Sequence, residues 1–214
     1  MPKEMPFAQA ALLGCGVVTG AGAVLNTANV ATGDTVVIFG AGGVGLNAVS
    51  GACIAGASRI VAIDIQSKRL EAAKKFGATD VIDSSATKPV EAVRDLLQGG
   101  ADHVFDFVGL KVVAEQGLAM LTIGGGLYLV GVSKPEVGID LNIFDAIDGQ
   151  KRVQGVNFGS TNFKRDIPMY AGLYLQGRMN LDDLVSKRIA LRDVNDGYAA
   201  LKDGSLNRVV VTSF

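Results

Sequence analysis

Thr35-Val-Val-Ile-Phe-Gly-Ala-Gly-Gly-Val-Gly45 joins a short apolar run to a glycine-rich turn, and the stretch from Val44 to Ala55 has the composition of a helix. A near-continuous apolar run predicts a strand that is covered on both faces. The three glycines of a G-x-G-x-x-G turn permit a tight bend, a close approach of the backbone to a pyrophosphate, and packing of the helix against the sheet. A pyrophosphate would meet free N–H groups at the helix N-terminus. The residues predicted to surround it are Gly40, Gly42, Gly43, Val44 and Gly45.

An acidic residue follows the next apolar run at the position where a dinucleotide's ribose would lie. Asp64 ends the run that begins at Arg59, and its carboxylate can accept hydrogen bonds from both hydroxyls of an adenosine ribose. This residue favours NAD over NADP, because a 2′-phosphate would face a negative charge. Arg69 follows closely and could reach the ribose, so a minor tolerance of NADP stays open.

Apolar runs alternate with helical stretches through the middle of the chain. The predicted strands are Thr35 to Phe39, Arg59 to Ile63, His103 to Phe107 and Leu127 to Val130. The predicted helices are Val44 to Ala55, Ser67 to Phe76 with Ser67 as its N-cap, Lys88 to Leu97 and Lys111 to Leu121. The alternation predicts an α/β fold, a Rossmann-type doubly wound parallel sheet built from right-handed crossovers. Outside this block the pattern is irregular, with helices expected near Ile167 to Gly177 and Val194 to Lys202 and a strand at Arg208 to Thr212.

Composition excludes several classes of protein. The 49% apolar and 19% charged residues are typical of a globular chain, and a net charge of −1 makes nucleic acid an unlikely partner. Two cysteines are too few for a disulfide framework, which favours a reducing, cytoplasmic compartment. The apolar segment from Phe7 to Leu25 contains Gln9 and Thr19, so it is expected to be neither a membrane span nor a targeting signal.

Four stretches together resemble the medium-chain dehydrogenase/reductase superfamily, and specifically its zinc-dependent alcohol dehydrogenases. They are Leu12-Leu-Gly-Cys-Gly-Val-Val-Thr-Gly20, the turn from Gly40 to Gly45, Gly56-Ala-Ser-Arg-Ile-Val-Ala-Ile-Asp64 and Phe105-Asp-Phe-Val-Gly109. The resemblance implies that Cys15 is one ligand of a catalytic zinc and that Thr19 lies beside the nicotinamide. It also implies a nicotinamide pocket and an arginine near the cofactor phosphates. The pocket residues are Val108, Val130, Gly131, Val132 and Phe158, and the arginine is Arg208.

The same resemblance implies a domain plan and an assembly. Residues 1–25 would be the end of a catalytic domain with its connecting helix, and residues 26–158 the NAD-binding domain. Residues 159–214 would return to the incomplete catalytic domain. A homodimer or homotetramer is expected, with the strand near Arg152 to Asn157 pairing across a two-fold axis.

The residues that would carry the chemistry are incomplete. A catalytic zinc needs three protein ligands, and this sequence offers Cys15; Cys53 is expected to be a small core residue and His103 a structural one. The prediction is therefore the NAD(H)-binding portion of a zinc-dependent alcohol dehydrogenase. The longer enzyme would oxidise a primary or aryl alcohol to an aldehyde by hydride transfer to NAD+. This chain by itself is expected to be inactive, and Met1 to be an internal or truncated start.

Three alternatives stay open. A free-standing, non-catalytic NAD(H)-binding module would bind cofactor without turnover. Zinc-free quinone or enoyl reductases of the same superfamily need no thiolate at Cys15 and typically prefer NADPH, which Asp64 opposes. An S-adenosylmethionine-dependent methyltransferase also uses a glycine-rich turn, but its usual antiparallel hairpin is not visible in the sequence.

Overall fold

A six-stranded parallel sheet organises the chain in a computed structural model that describes residues 1–202 and 206–214. Its strands are β1 (Thr35–Phe39), β2 (Arg59–Asp64), β3 (Asp80–Asp83), β4 (Ala101–Asp106), β5 (Leu121–Leu129) and β6 (Arg152–Gly155). The spatial order is β3-β2-β1-β4-β5-β6, and every neighbouring pair is parallel. This is the strand order of a Rossmann-type doubly wound sheet, so the predicted fold class is confirmed.

Helices cover both faces of the sheet. They are α1 (Phe7–Ala28), α2 (Gly45–Ala55), α3 (Ser67–Phe76), α4 (Pro89–Leu97), α5 (Lys111–Ala119), α6 (Ile143–Asp148), α7 (Phe163–Leu175) and α8 (Val194–Lys202). In β1 the alternate residues Val36 and Ile38 join the core that α1 and α2 cover. Val37 and Phe39 join a second core under α4 and α5. Successive side chains of a strand point to opposite faces of the sheet. A strand that is apolar at every position therefore needs helices packed on both faces.

The N-terminal segment forms one continuous helix. Gln9 and Thr19 do not interrupt it: Phe7–Ala28 is one helix of 22 residues, long and apolar enough to cross a membrane by length and composition. Two thirds of its apolar 18-residue window is nevertheless buried inside the protein, as expected of a core helix. Gln9 is itself buried, and its side-chain amide donates to Asp182 at 2.6 Å. The helix also continues past residue 25, where the sequence placed a domain boundary.

The C-terminal part contains a second, two-stranded parallel sheet that the sequence pattern only half revealed. Its strands are β7 (Val185–Ala190) and β8 (Arg208–Ser213), and α8 lies between them in the chain. β7 was not predicted, because Ser186, Lys187 and Arg188 are exposed and break the apolar run. The short strand β3 was missed for a similar reason, since an aspartate stands at each end of it.

Two smaller predictions about α3 and its neighbour were wrong. The N-cap position of α3 is Gln66, and Ser67 is already helical; Gln66 offers no side-chain cap. Cys53 is exposed at the end of α2, not a core residue, and its thiol donates to the carbonyl oxygen of Gly77 at 3.4 Å. The predicted end of this helix at Phe76 is correct, and Gly77, which follows it, has a left-handed backbone with φ of 109°.

Candidate functional site

Two adjoining cavities open where the doubly wound sheet reverses its strand order. β1 lies between β2 and β4, and Phe39 and Asp106 are register partners at the carboxyl ends of β1 and β4. The chain leaves these two ends toward opposite sides, which creates a crevice at the switch point. The first cavity has a volume of about 370 Å³ and the second about 390 Å³. Val44 and Phe107 line both.

The glycine-rich turn has the geometry of a cradle for an anion. Gly40 has φ of 87°, which favours glycine, and a Cβ on Gly45 would overlap the carbonyl oxygen of Gly40. A Cβ on Gly42 would instead point into open space. Helix α2 begins directly after Val44, which gives no side-chain cap. The N–H groups of Leu46 and Asn47 bond to the carbonyl oxygens of Gly42 and Val44, so the donors expected to meet a ligand are those of Gly43 and Val44 in the turn. The turn therefore fits a diphosphate.

Asp64 lines the first cavity and is also hydrogen-bonded to the glycine-rich turn. It is buried, and its Oδ2 accepts the N–H of Ala41 at 2.9 Å while its Oδ1 accepts the N–H of Gln66 at 3.0 Å. The Arg69 guanidinium lies 3.5 Å from the same carboxylate. Each carboxylate oxygen can accept more than one hydrogen bond, so capacity is left for ribose hydroxyls. The tether from Asp64 to Ala41 was not foreseen, because no spacing rule specifies it.

Asp106 shapes the opposite wall of the crevice. Its Oδ1 accepts the N–H groups of Val108 at 2.7 Å and Gly109 at 3.0 Å, which fixes the loop after β4. Burial raises the pKa of this carboxyl, and the two hydrogen bonds offset that effect only in part. Asp106 thus holds Phe107 and Val108 against the cavities.

The residues predicted from the sequence lie around these two cavities. Those that line the first are Gly40, Gly42, Gly43, Val44, Gly45, Asp64, Arg69, Val108 and Arg208. Those that line the second are Cys15, Thr19, Val44, Val130, Gly131, Val132 and Phe158. The assignment of each residue to a part of a cofactor stays a prediction.

Sequence reasoning missed other lining residues. They are Phe39, Ile63, Ile65, Ser84, Phe107, Leu110, Val113 and Gln116 in the first cavity, and Val156 and Asn157 in the second. Many of them follow the carboxyl ends of β2, β3, β4 and β6. The rule that ligands bind at these ends could have indicated them, once every strand had been recognised.

The described residues do not complete a metal site. Cys15 is exposed and lies in Leu13–Val17, a π-helical segment of α1, a distortion that is frequent at functional positions. Within residues 1–202 and 206–214, no three His, Cys, Asp or Glu side chains are grouped to hold a metal. Zinc needs at least two more protein ligands than Cys15 provides.

His103 has the structural role that the sequence predicted. It is buried in β4, with Nε2 3.0 Å from the Asp34 carboxylate and Nδ1 3.3 Å from the Tyr128 hydroxyl. This group lies at the amino end of the sheet, and His103 lines neither of the two cavities.

Residues 43–172, more than half of the chain, match the zinc-binding dehydrogenase family, a span that begins within the glycine turn and includes β2 to β6. The chain belongs to this family. The match confirms the resemblance that the motifs indicated, and it agrees with the glycine turn, the strand order and the position of the crevice.

Relatives and solved structures of the family agree along nearly the whole chain. The probable S-(hydroxymethyl)glutathione dehydrogenase 1 of Schizosaccharomyces pombe is 40% identical over 208 residues, 96% of this chain and 55% of that protein. Benzyl alcohol dehydrogenase from Acinetobacter calcoaceticus has a TM-score of 0.95 at 34% identity, covering 99% of this chain and 59% of that one. A putative zinc-binding dehydrogenase from Sinorhizobium meliloti, bound to NADP, has a TM-score of 0.85 at 25% identity, with 99% and 61% covered. The chain thus spans about half the length of the curated relatives it matches.

Proposed function

We propose that this chain binds NAD(H) across the two cavities as the cofactor-binding part of a zinc-dependent alcohol dehydrogenase. The observation that supports this most directly is the continuous crevice at the switch point, where the glycine turn, Asp64 and Arg208 line one cavity and Thr19 and Phe158 the next. The first cavity would hold the adenosine and diphosphate, and the second the nicotinamide. Val108, which the resemblance placed in the nicotinamide pocket, would then lie beside the first half of the cofactor. In the whole protein a primary or aryl alcohol would be oxidised to an aldehyde, with NAD+ accepting the hydride.

Charge favours NAD over NADP in this proposal. The buried Asp64 carboxylate lies where the adenosine ribose would bind, and a 2′-phosphate there would be repelled. Arg69 offsets part of this repulsion because its guanidinium lies 3.5 Å from Asp64. We therefore expect a preference for NAD(H) that is not absolute, in keeping with a relative that is bound to NADP.

Cys15 is proposed to be one protein ligand of the catalytic zinc in the whole protein. Its exposed thiol and its place in the second cavity beside Thr19 support this role. The other ligands would come from outside the described residues. A thiolate ligand facing the nicotinamide also favours a zinc enzyme over the zinc-free reductases of the superfamily.

Assembly and compartment are further parts of the proposal. β6 is an edge strand whose residues are all exposed, and Ile143, Phe144 and Ile147 of α6 are exposed apolar side chains. An open edge of this kind can pair with a second copy, so we propose a homodimer or homotetramer. Two free thiols support a reducing, cytoplasmic compartment.

The cofactor proposal is tested by calorimetric titration of NADH and NADPH into the chain and into Asp64→Asn. The parent should bind NADH more tightly, and the variant should lower that preference by about tenfold because one repulsive charge is gone. Asp83→Asn is the matched control: Asp83 ends the adjacent strand in register with Asp64 but does not line the cavity. A parent preference for NADPH, or equal effects of the two substitutions, would count against the role of Asp64.

A further inference from the structure

The turn after β6 has an unusual backbone. Phe158, Gly159 and Ser160 have φ of 46°, 59° and 49°, so three consecutive residues are left-handed and two of them carry side chains. L-residues avoid this region because the Cβ crowds the backbone. Such a run persists only where its surroundings hold it, and it is frequent beside ligand sites.

Helix α1 supplies those surroundings through a contact between two glycines. A Cβ on Gly159 would overlap the carbonyl oxygen of Val18 and lie 2.7 Å from the Cα of Gly22. In the other direction, a Cβ on Gly22 would lie 2.6 Å from the carbonyl oxygen of Gly159. Both values are below the shortest separations that real Cβ atoms show. The helix and the turn can therefore touch only because neither residue has a side chain.

Hydrogen bonds extend this contact along α1. The Thr161 hydroxyl donates to the Val18 carbonyl at 3.3 Å, and the Asn26 amide donates to the Gly159 carbonyl at 3.3 Å. The hydroxyls of Thr27 and Ser160 are 2.8 Å apart. The turn is thus attached to the helix at several points between Val18 and Thr27.

The same two elements both line the second cavity. Cys15 and Thr19 come from α1, and Phe158 comes from the turn. The first cavity is lined by residues of neither element. A change at the glycine pair should therefore alter one cavity and leave the other unchanged.

We infer that Gly22 and Gly159 are positioning residues, which hold the Phe158 turn against α1 and thereby set the width of the nicotinamide half of the site. This inference rests on the proposed NAD(H) function. It predicts that loosening the contact weakens binding of the nicotinamide half without weakening binding of the adenosine half.

The test compares NADH with ADP-ribose, which lacks the nicotinamide, by calorimetric titration of the chain and its variants. Gly159→Ala should raise the Kd of NADH by about tenfold, while the Kd of ADP-ribose stays within about twofold. Thr161→Val, which removes only the hydrogen bond to Val18, should raise the Kd of NADH by about threefold. Gly172→Ala is the matched control, because a Cβ there meets nothing within 4 Å.

The outcomes of this test distinguish a failure of the inference from a failure of the proposed NAD(H) function. If the parent binds neither ligand, the proposed function fails. If the parent binds both and Gly159→Ala leaves the ratio of the two Kd values unchanged, the positioning role of the two glycines is overturned and the proposed function stands. If Gly159→Ala binds neither ligand, the inference is judged on Thr161→Val. Equal changes in the Kd values of NADH and ADP-ribose in that variant overturn it.

Discussion

The two ends of the six-stranded sheet differ in how their polar groups are used. At the amino end, a cavity of about 460 Å³ is lined by Asp34, Asp102, His103, Tyr128 and Arg152. These groups bond to one another or to the main chain, as in the pairs His103 with Asp34 and Asp102 with the Thr35 hydroxyl. At the carboxyl end, the glycine turn leaves helix α2 without a side-chain cap.

The comparison shows that ionisable side chains alone are a poor guide to a binding site. The amino-end cavity and the first cavity at the carboxyl end have equal numbers of Asp and Arg side chains, which are Asp34, Asp102 and Arg152 against Asp64, Arg69 and Arg208. The hydrogen bonds at the amino end stabilise the junction of α1, β1, β4 and β5. The carboxyl end differs in its glycine turn, where the backbone lies beside open space at Gly42. Unsatisfied backbone donors mark an anion site more directly than charge does.

The largest effect that would sharpen this comparison is expected at the glycine turn. Gly45→Ala should lower the stability of the fold by about 3 kcal/mol, a fall in Tm of roughly 6–12 °C, because its Cβ overlaps the Gly40 carbonyl. Cofactor binding should be lost as well.

Gly42→Ala is the matched variant: its Cβ meets open space, so Tm should stay unchanged while NADH affinity falls at least about tenfold. Thermal unfolding and titration measure both, and intact NADH binding in Gly42→Ala would remove the turn as the diphosphate site.

An intermediate effect is expected at the amino end. His103→Leu should destabilise the protein by about 2 kcal/mol, because it removes two buried hydrogen-bonding contacts and leaves the Tyr128 hydroxyl without this partner. NADH affinity should not change. Denaturant unfolding and NADH titration of the same variant test this. A fall in NADH affinity at unchanged stability would break the comparison, since the amino end would then take part in binding.

The smallest effect concerns the pH dependence of stability at Asp106. Burial raises the pKa of its carboxyl, so its contribution to stability is complete below the unfolded pKa and is lost as pH rises through the folded pKa. Asp106→Asn keeps an acceptor for the loop and stays neutral. Its Tm relative to the parent should therefore be higher at about pH 7 than at about pH 4, by no more than about 3 °C. The opposite trend would show that the carboxylate is stabilised by the Val108 and Gly109 N–H groups more than burial disfavours it.

Much of the site could be predicted from local patterns. The glycine turn and Asp64 were recognisable because a phosphate cradle and a ribose acceptor impose fixed residue types at fixed spacing. Phe107, Ser84 and Gln116 were not, because they contribute through position at strand ends and have no required chemistry. Ser84 in particular follows β3, a strand whose terminal aspartates obscured its apolar pattern.

By itself, the sequence determined the fold class, the order of the strands' apolar runs and the position of the glycine-rich turn, since these depend on local periodicity and on glycine at particular positions. Only the tertiary structure decided how residues distant in the chain combine. It joined Asp64 to Ala41, placed Cys15 of a continuous, mostly buried helix beside Phe158, and packed Gly22 against Gly159. These contacts depend on how α1 packs in the fold and on where the turn after β6 meets it. Packing of that kind leaves no periodic trace in the sequence.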